Sequence, residues 1–356
     1  MLQSLVSPEL ANAADILVRD HFAVQSGEEM LITADTASDG RLVTAVMNAA
    51  TALGAHASVL MIPQLPYQGG LADPWVPEPL ASAIQSCDVW FDFTFPYLAG
   101  SHAYDAAMET KRVRHLLGGD VGAPGVVRLI GNVDLDHLFA VHHAFDAVVA
   151  KAIGRSCRFT TEAGTDVTFT LAKPAYQKPR YADKPGFYVM PGLVTMFPEP
   201  DSVRGTLVLE AAFHEWYAPL HQPITLGVDG KIREVSGGGN ALEVMDRALR
   251  RAGGGEYGSV IHFTCGIHPA ARPTGNSFIE DSRVIGSDAV GLGIPWWLPG
   301  GGENHPDAVI TMQSIWIDGE EIVRRGKIVG PPELARLAAD LRPRVWPPAA
   351  DRGHAR

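Results

Sequence analysis

The feature that most constrains this chain is a change of texture near residue 150. Before it, short apolar runs alternate with stretches of helical periodicity. EEMLITAD, HASVLMI, DVWFDF and VVRLIGN read as four strands, while Leu10, Ala14, Ile16 and Leu17 recur at helical spacing between Pro8 and Phe22. Asp39 stands where its carboxylate can cap a helix carrying Leu42, Val43, Val46 and Met47. Short strands separated by helices predict βαβ units and a mostly parallel sheet. No G-x-G-x-x-G follows the first strand, so a dinucleotide site is not indicated.

Past Lys151 the pattern turns to strands and hairpins. CRFTTEAGTDVTFTLA, GTLVLEAAF, ITLGVDGKIREV, SVIHFT, DAVGLGI and DAVITMQSIWIDGEEIVRRGKIV all read this way. Asp229-Gly230 and Asp318-Gly319 are dipeptides of the kind that close hairpins. One helix, from about Asn240 to Ala252, interrupts the run. At 356 residues the chain is long for a single compact domain. The expected organisation is an α/β domain over 1–150, a β-rich α+β domain over 151–340, and a frayed tail over 341–356.

Charge and cysteine content narrow the functional classes. The formal net charge of −11, with no basic stripe to offset it, argues against a nucleic-acid partner. The opening MLQSLVSPEL lacks the basic and apolar segments of a signal peptide, and no apolar run approaches membrane-spanning length. Three widely spaced cysteines with no C-x-x-C fit reduced thiols. These features predict a cytoplasmic protein with no membrane partner. A symmetric homo-oligomer is the usual state for large enzymes of such a kind.

Chemistry concentrates near the end of the β-rich half. GGGENHPDAVITMQ sets His305 and Asp307 two residues apart at the entrance to a strand. Residues i and i+2 of a strand point to the same side, so this pair can aim an imidazole and a carboxylate at one point. His262 lies inside the apolar strand SVIHFT. A histidine in such a strand is more often a core residue than a ligand. If it converges with the His-x-Asp pair, two histidines and one carboxylate occupy one face of a metal and leave other positions open. That arrangement suits non-haem Fe(II). Spacing alone does not establish the convergence.

Five motifs in order carry a resemblance: Gly164-Thr165-Asp166, GLVTMFPEPDSVRG, HFTCGIHPAAR, EDSRVIGSDAVGLG and GGGENHPDAV. The β-rich half resembles the aminopeptidase T type of metalloaminopeptidases over most of its length. The resemblance implies an aminopeptidase T-like fold whose β-rich half binds metal. The departures are informative. Leu193 and His262 stand where that family has glutamates, and Ala289 where it has a histidine, while His305 and Asp307 keep the metal-binding identities. A two-metal hydrolase needs bridging carboxylates, which this chain has lost.

The altered set is similar to one branch of the superfamily, the 2,5-dihydroxypyridine 5,6-dioxygenases. That resemblance implies an Fe(II) enzyme with His262, His305 and Asp307 as ligands. It also implies that O₂ opens the ring of a small N-heterocycle between C5 and C6, giving N-formylmaleamate. An active-site histidine in the N-terminal domain is implied too, and His102 in PYLAGSHAY, beyond the strand DVWFDF, is the candidate. Ligands of α/β sheets gather at the carboxyl ends of strands. His268, Arg272 and Glu303 are candidate substrate-binding residues. Arg272 and Arg283 can each serve a substrate oxygen or pair with Glu280 or Asp281. A metal-dependent aminopeptidase or cyclic-amide hydrolase is the alternative, and a relative that has lost its metal is a third.

Overall fold

The computed structural model describes residues 6–174, 180–295, 298, 301 and 305–345. Two sheets organise them. The first is parallel throughout, with five strands in the spatial order His56–Ile62, Glu29–Asp35, Val89–Phe93, Arg114–Leu117 and Gly186–Val189. In chain order this is 2-1-3-4-5, a doubly wound arrangement whose crevice opens at the carboxyl ends of the strands. Helices Gly40–Ala52, Glu78–Ser86 and His102–Glu109 connect these strands. Asp39 does cap the first of them, its carboxylate accepting from the Arg41 amide at 3.0 Å.

One expected strand is a helix. VVRLIGN forms a helical turn, Ala123–Val126 running into Val127–Gly131, and the fourth strand is Arg114–Leu117. The reason lies in its own residues. Pro124 sits in the first helical turn, where its missing N–H costs nothing. Val126, Leu129 and Ile130 are buried at helical spacing, while Arg128 meets the buried Glu280 at 2.7 Å. A short apolar run does not by itself distinguish strand from helix.

The second sheet is antiparallel and much larger, with twelve strands among the described residues. The expected hairpins appear as Ser156–Thr160 with Asp166–Thr170, Tyr217–Asp229 with Lys231–Gly237, and Ser314–Ile317 with Glu320–Arg324. The helix expected near 240–252 is Leu242–Ala252. The halves exchange elements across residue 150. Gly186–Val189 completes the parallel sheet, while helix Leu135–Lys151 buries Leu138, Phe145 and Val149 in the core of the antiparallel one.

The strands Ser287–Gly293 and Asp307–Thr311 are buried on both faces. Val290, Leu292, Ala308 and Ile310 join the core under the antiparallel sheet. Ala289 and Val309 face the other way, into a cluster with Phe93, Tyr97 and Leu117 of the parallel half. That second face is where the two sheets meet and where the candidate site lies. No helix among the described residues is long and apolar enough to cross a membrane.

Candidate metal centre

Three neighbouring strands build the site. His262 on Ser259–Gly266 stands opposite Gly291, and Gly291 stands opposite Asp307. Directly opposed residues share a face of a sheet, so His262 and Asp307 flank Gly291 on one side. A register irregularity between Val260 and His262 sets the histidine's aim. His305 lies two residues before Asp307, and the carbonyl of Pro306 between them accepts from the Leu292 amide at 2.9 Å. From the parallel half, the Gln68 side-chain amide donates to the His305 carbonyl.

The donor atoms converge. His262 Nε2 and His305 Nε2 are 3.1 Å apart, and Asp307 Oδ1 is 3.4 Å from the first and 3.7 Å from the second. Two ligand atoms bound to one ion at about 2.1 Å, 90–110° apart, stand roughly 3.0–3.4 Å from each other. Two of the three separations lie within that range and the third, 3.7 Å, exceeds it by a few tenths of an ångström, so the trio stands close to the spacing a single ion requires. Among the described residues it is also the only group of three or more such side chains close enough to hold one. Gly291 makes the convergence possible. A Cβ there would lie 2.4 Å from His262 Nε2 and 2.8 Å from His305 Cε1. Any side chain at this position drives the imidazoles apart.

The trio opens into a cavity of about 880 Å³ between the two halves, within the range of small-molecule sites. Tyr97, Leu193, Thr264, Phe278, Arg283 and Ala289 are among its lining residues. Leu193 and Ala289, which replace a carboxylate and an imidazole of the aminopeptidase pattern, thus face the same space. No further anionic ligand stands at those positions, and this favours one metal over two.

The other expected site residues are dispersed. His102 is the first residue of helix His102–Glu109, and its side chain is 88% exposed. Gly100, Tyr104 and Asp105 around it line the cavity, but His102 itself does not. Its Nδ1 lies 3.0 Å from Asp73 Oδ2, and its amide donates to Asp73 Oδ1 at 2.9 Å. His268 is fully buried away from the cavity. Its Nε2 donates to the Leu129 carbonyl at 3.0 Å and its Nδ1 accepts from the Ala270 amide at 3.2 Å. Burial pushes its pKa down to about 3. With both nitrogens engaged by backbone, it has none left for a substrate. Arg272 is exposed, and its amide donates to Glu280. Glu303 lies outside the described residues.

Sequence reasoning missed Gly291, Gln68 and Tyr97. A lone glycine inside the apolar strand SDAVGLG is a signal of close approach. Nothing in the local pattern marks the other two, because loops bring them across from the parallel half.

The family described as 2,5-dihydroxypyridine 5,6-dioxygenase matches residues 18–330. Among solved structures, the 2,5-dihydroxypyridine dioxygenase from Pseudomonas putida KT2440 is similar at a TM-score of 0.72 and 21% identity. The match covers 91% of this chain and 98% of that one. Wild-type AmpT from Thermus thermophilus is similar at a TM-score of 0.62 and 14% identity, over 90% of this chain and 99% of that one. No curated protein matches the sequence closely enough to carry an argument.

Proposed function

The chain belongs to the 2,5-dihydroxypyridine 5,6-dioxygenase family and is a ring-cleaving dioxygenase; on that premise we propose how its own residues carry the reaction. His262, His305 and Asp307 hold one Fe(II). The substrate is 2,5-dihydroxypyridine or a close hydroxylated pyridine, opened between C5 and C6 to N-formylmaleamate. Both oxygen atoms of O₂ enter the product. The observation that carries this reading is the trio of donors 3.1–3.7 Å apart beside apolar Leu193 and Ala289. Bound Fe(II) supplies open positions and the one-electron chemistry that makes O₂ reactive toward an electron-rich ring.

The protein's part is to place the ring, exclude water and move a proton. Phe278, Leu193 and Ala289 give the ring an apolar bed. Loss of the 5-hydroxyl proton enriches the ring in electrons, and His102, outside the cavity lining but beside Gly100, Tyr104 and Asp105 at its edge, is the group we assign to take and return it. Asp73 beside Nδ1 favours the tautomer with its proton there, leaving Nε2 as the acceptor. Gln68 holds His305 by its carbonyl and so ties the parallel half to the metal centre. Purified without oxygen and loaded with Fe(II), the protein is expected to bleach 2,5-dihydroxypyridine with one O₂ consumed per ring. Release of amino acids from peptides, with no O₂ uptake on any hydroxypyridine, returns the assignment to the hydrolases.

A further inference from the structure

The cavity contains a cation that no carboxylate pairs with among the described residues. Arg283 is 2% exposed and lines the same space as the donor trio. Its Nε donates to the Met190 carbonyl at 2.9 Å, and its Nη1 to the Ile279 carbonyl and to Ser282 Oγ. All three acceptors are neutral. Its Nη2 makes no hydrogen bond, and no carboxylate pairs with it, among the described residues. The two acids whose charges reach it are occupied elsewhere. Asp120 accepts from Ser277 Oγ and from the Phe278 and Ile279 amides. Glu280 is held by Arg128 and the Arg272 amide.

A buried charge without a partner is far more costly than a buried neutral donor, and such groups are normally paired. Burial pulls the guanidinium down to about 9, so it stays charged at neutral pH. Tyr97 stands nearby under similar conditions. It is 8% exposed and lines the cavity. Its ring is fixed against Phe95 and Phe213 at 5.6 and 5.4 Å. Its hydroxyl makes no hydrogen bond among the described residues, yet it feels the charges of both Asp307 and Arg283. The lining of one cavity thus holds the donor trio together with an arginine and a tyrosine hydroxyl whose donors are not all engaged by the described residues.

We infer that Arg283, assisted by Tyr97, is a second oxygen-binding pole that takes the substrate oxygen at ring position 2, while the 5-oxygen faces the metal trio. The inference rests on the hydroxypyridine reading and deepens it. It names the ligand class as a ring carrying two oxygens para to one another, the remote one a pyridone carbonyl or oxyanion. A planar guanidinium suits such an acceptor because its donors point outward in fixed directions.

Anaerobic binding to the Fe(II)-loaded protein tests this, using 2,5-dihydroxypyridine and 3-hydroxypyridine, which keeps the metal-facing hydroxyl and lacks the other oxygen. The wild type should prefer the first by about 10²-fold, the worth of a buried hydrogen bond to a charged group. Arg283→Met and Arg283→Lys should abolish that preference, weakening 2,5-dihydroxypyridine about 10²-fold and leaving 3-hydroxypyridine within about threefold. Tyr97→Phe should erode it about tenfold. Iron content should not change in any variant. Arg283 also ties two backbone carbonyls, so if the methionine variant fails to fold, the lysine and phenylalanine variants decide. Equal weakening of both ligands, or an unchanged preference, overturns the inference. A wild type that binds with this preference but does not cleave the ring sinks the reaction and keeps the arginine. Cleavage with an unaltered preference in Arg283→Lys does the reverse, and binding of neither ring overturns both.

Discussion

His262 stands on a sheet whose register leaves it little freedom, and His305 is tied down from both halves; His102 opens a helix and turns 88% of its side chain to solvent. The first two owe their meeting to ladder pairings across Gly291 and to backbone bonds at Pro306 and Gln68. The third is held through one partner, Asp73. A metal needs donors fixed to a few tenths of an ångström before it arrives, and a sheet interior supplies that. A group that must take up and return a proton needs access, which an exposed imidazole has. On the proposed roles, the contrast is one of task.

Removing a ligand is the most severe way to break the rigid side. His262→Ala, His305→Ala and Asp307→Ala should each reduce bound metal and turnover to background while the far-ultraviolet circular dichroism persists. A variant of any of the three with normal metal content and turnover would take that residue out of the centre. Gly291→Ala attacks the same site without touching a donor. Its Cβ would stand 2.4 Å from His262 Nε2, so the expected result is loss of most of the metal and about 10³-fold of turnover. A sheet that absorbed the methyl group with its metal in place would mean that its register is softer than the contacts around Gly291 imply.

The exposed side should behave differently. His102→Ala is expected to keep its metal and lose about 10²-fold in turnover, the low end for a positioned proton-transfer group. Asp73→Asn should lower turnover by about threefold to tenfold with metal content unchanged, because it loosens the contacts that hold the His102 ring and amide. If His102→Ala turned over at the wild-type rate, proton handling would pass to another group and the comparison would lose its second member.

How much of this was legible in the sequence follows from the same contrast. His305 and Asp307 were readable because a two-residue spacing has one geometric meaning at a strand entrance. Most strands and the turns Asp229-Gly230 and Asp318-Gly319 were readable for a similar reason, since local chemistry dictates them. His262 needed a register that connects residues some forty positions apart, which no local pattern encodes. Arg272 and Arg283 looked equivalent, yet one is exposed and the other is walled in by Met190, Ile279 and Ser282. Gly186–Val189 joined the parallel sheet because tertiary pairing with Arg114–Leu117, and not propensity, decides a four-residue strand.

A third histidine sharpens the comparison with the smallest effect, on stability alone. His115 sits fully buried in the parallel sheet, its ring 4.0 Å from Trp90 and 5.6 Å from Phe187. Neither of its nitrogens has a hydrogen-bond partner among the described residues. Burial alone pushes its pKa down to about 3 from 6.5. The unfolded chain therefore binds more protons than the folded one between those values. The stability permitted by the neutral ring is whole above pH 6.5 and is lost progressively as the pH falls toward 3. At pH 5 this one residue costs about 2 kcal/mol relative to pH 7. His115→Phe removes the titration and both unpaired nitrogens while keeping an aromatic ring among aromatic neighbours. It should raise stability at pH 7 by about 1 kcal/mol and flatten the pH 5–7 dependence by about 2 kcal/mol, with turnover unchanged. Urea titrations at the two pH values measure both. A variant as acid-sensitive as the wild type would show that water reaches this ring and that the parallel half is more open than its burial implies.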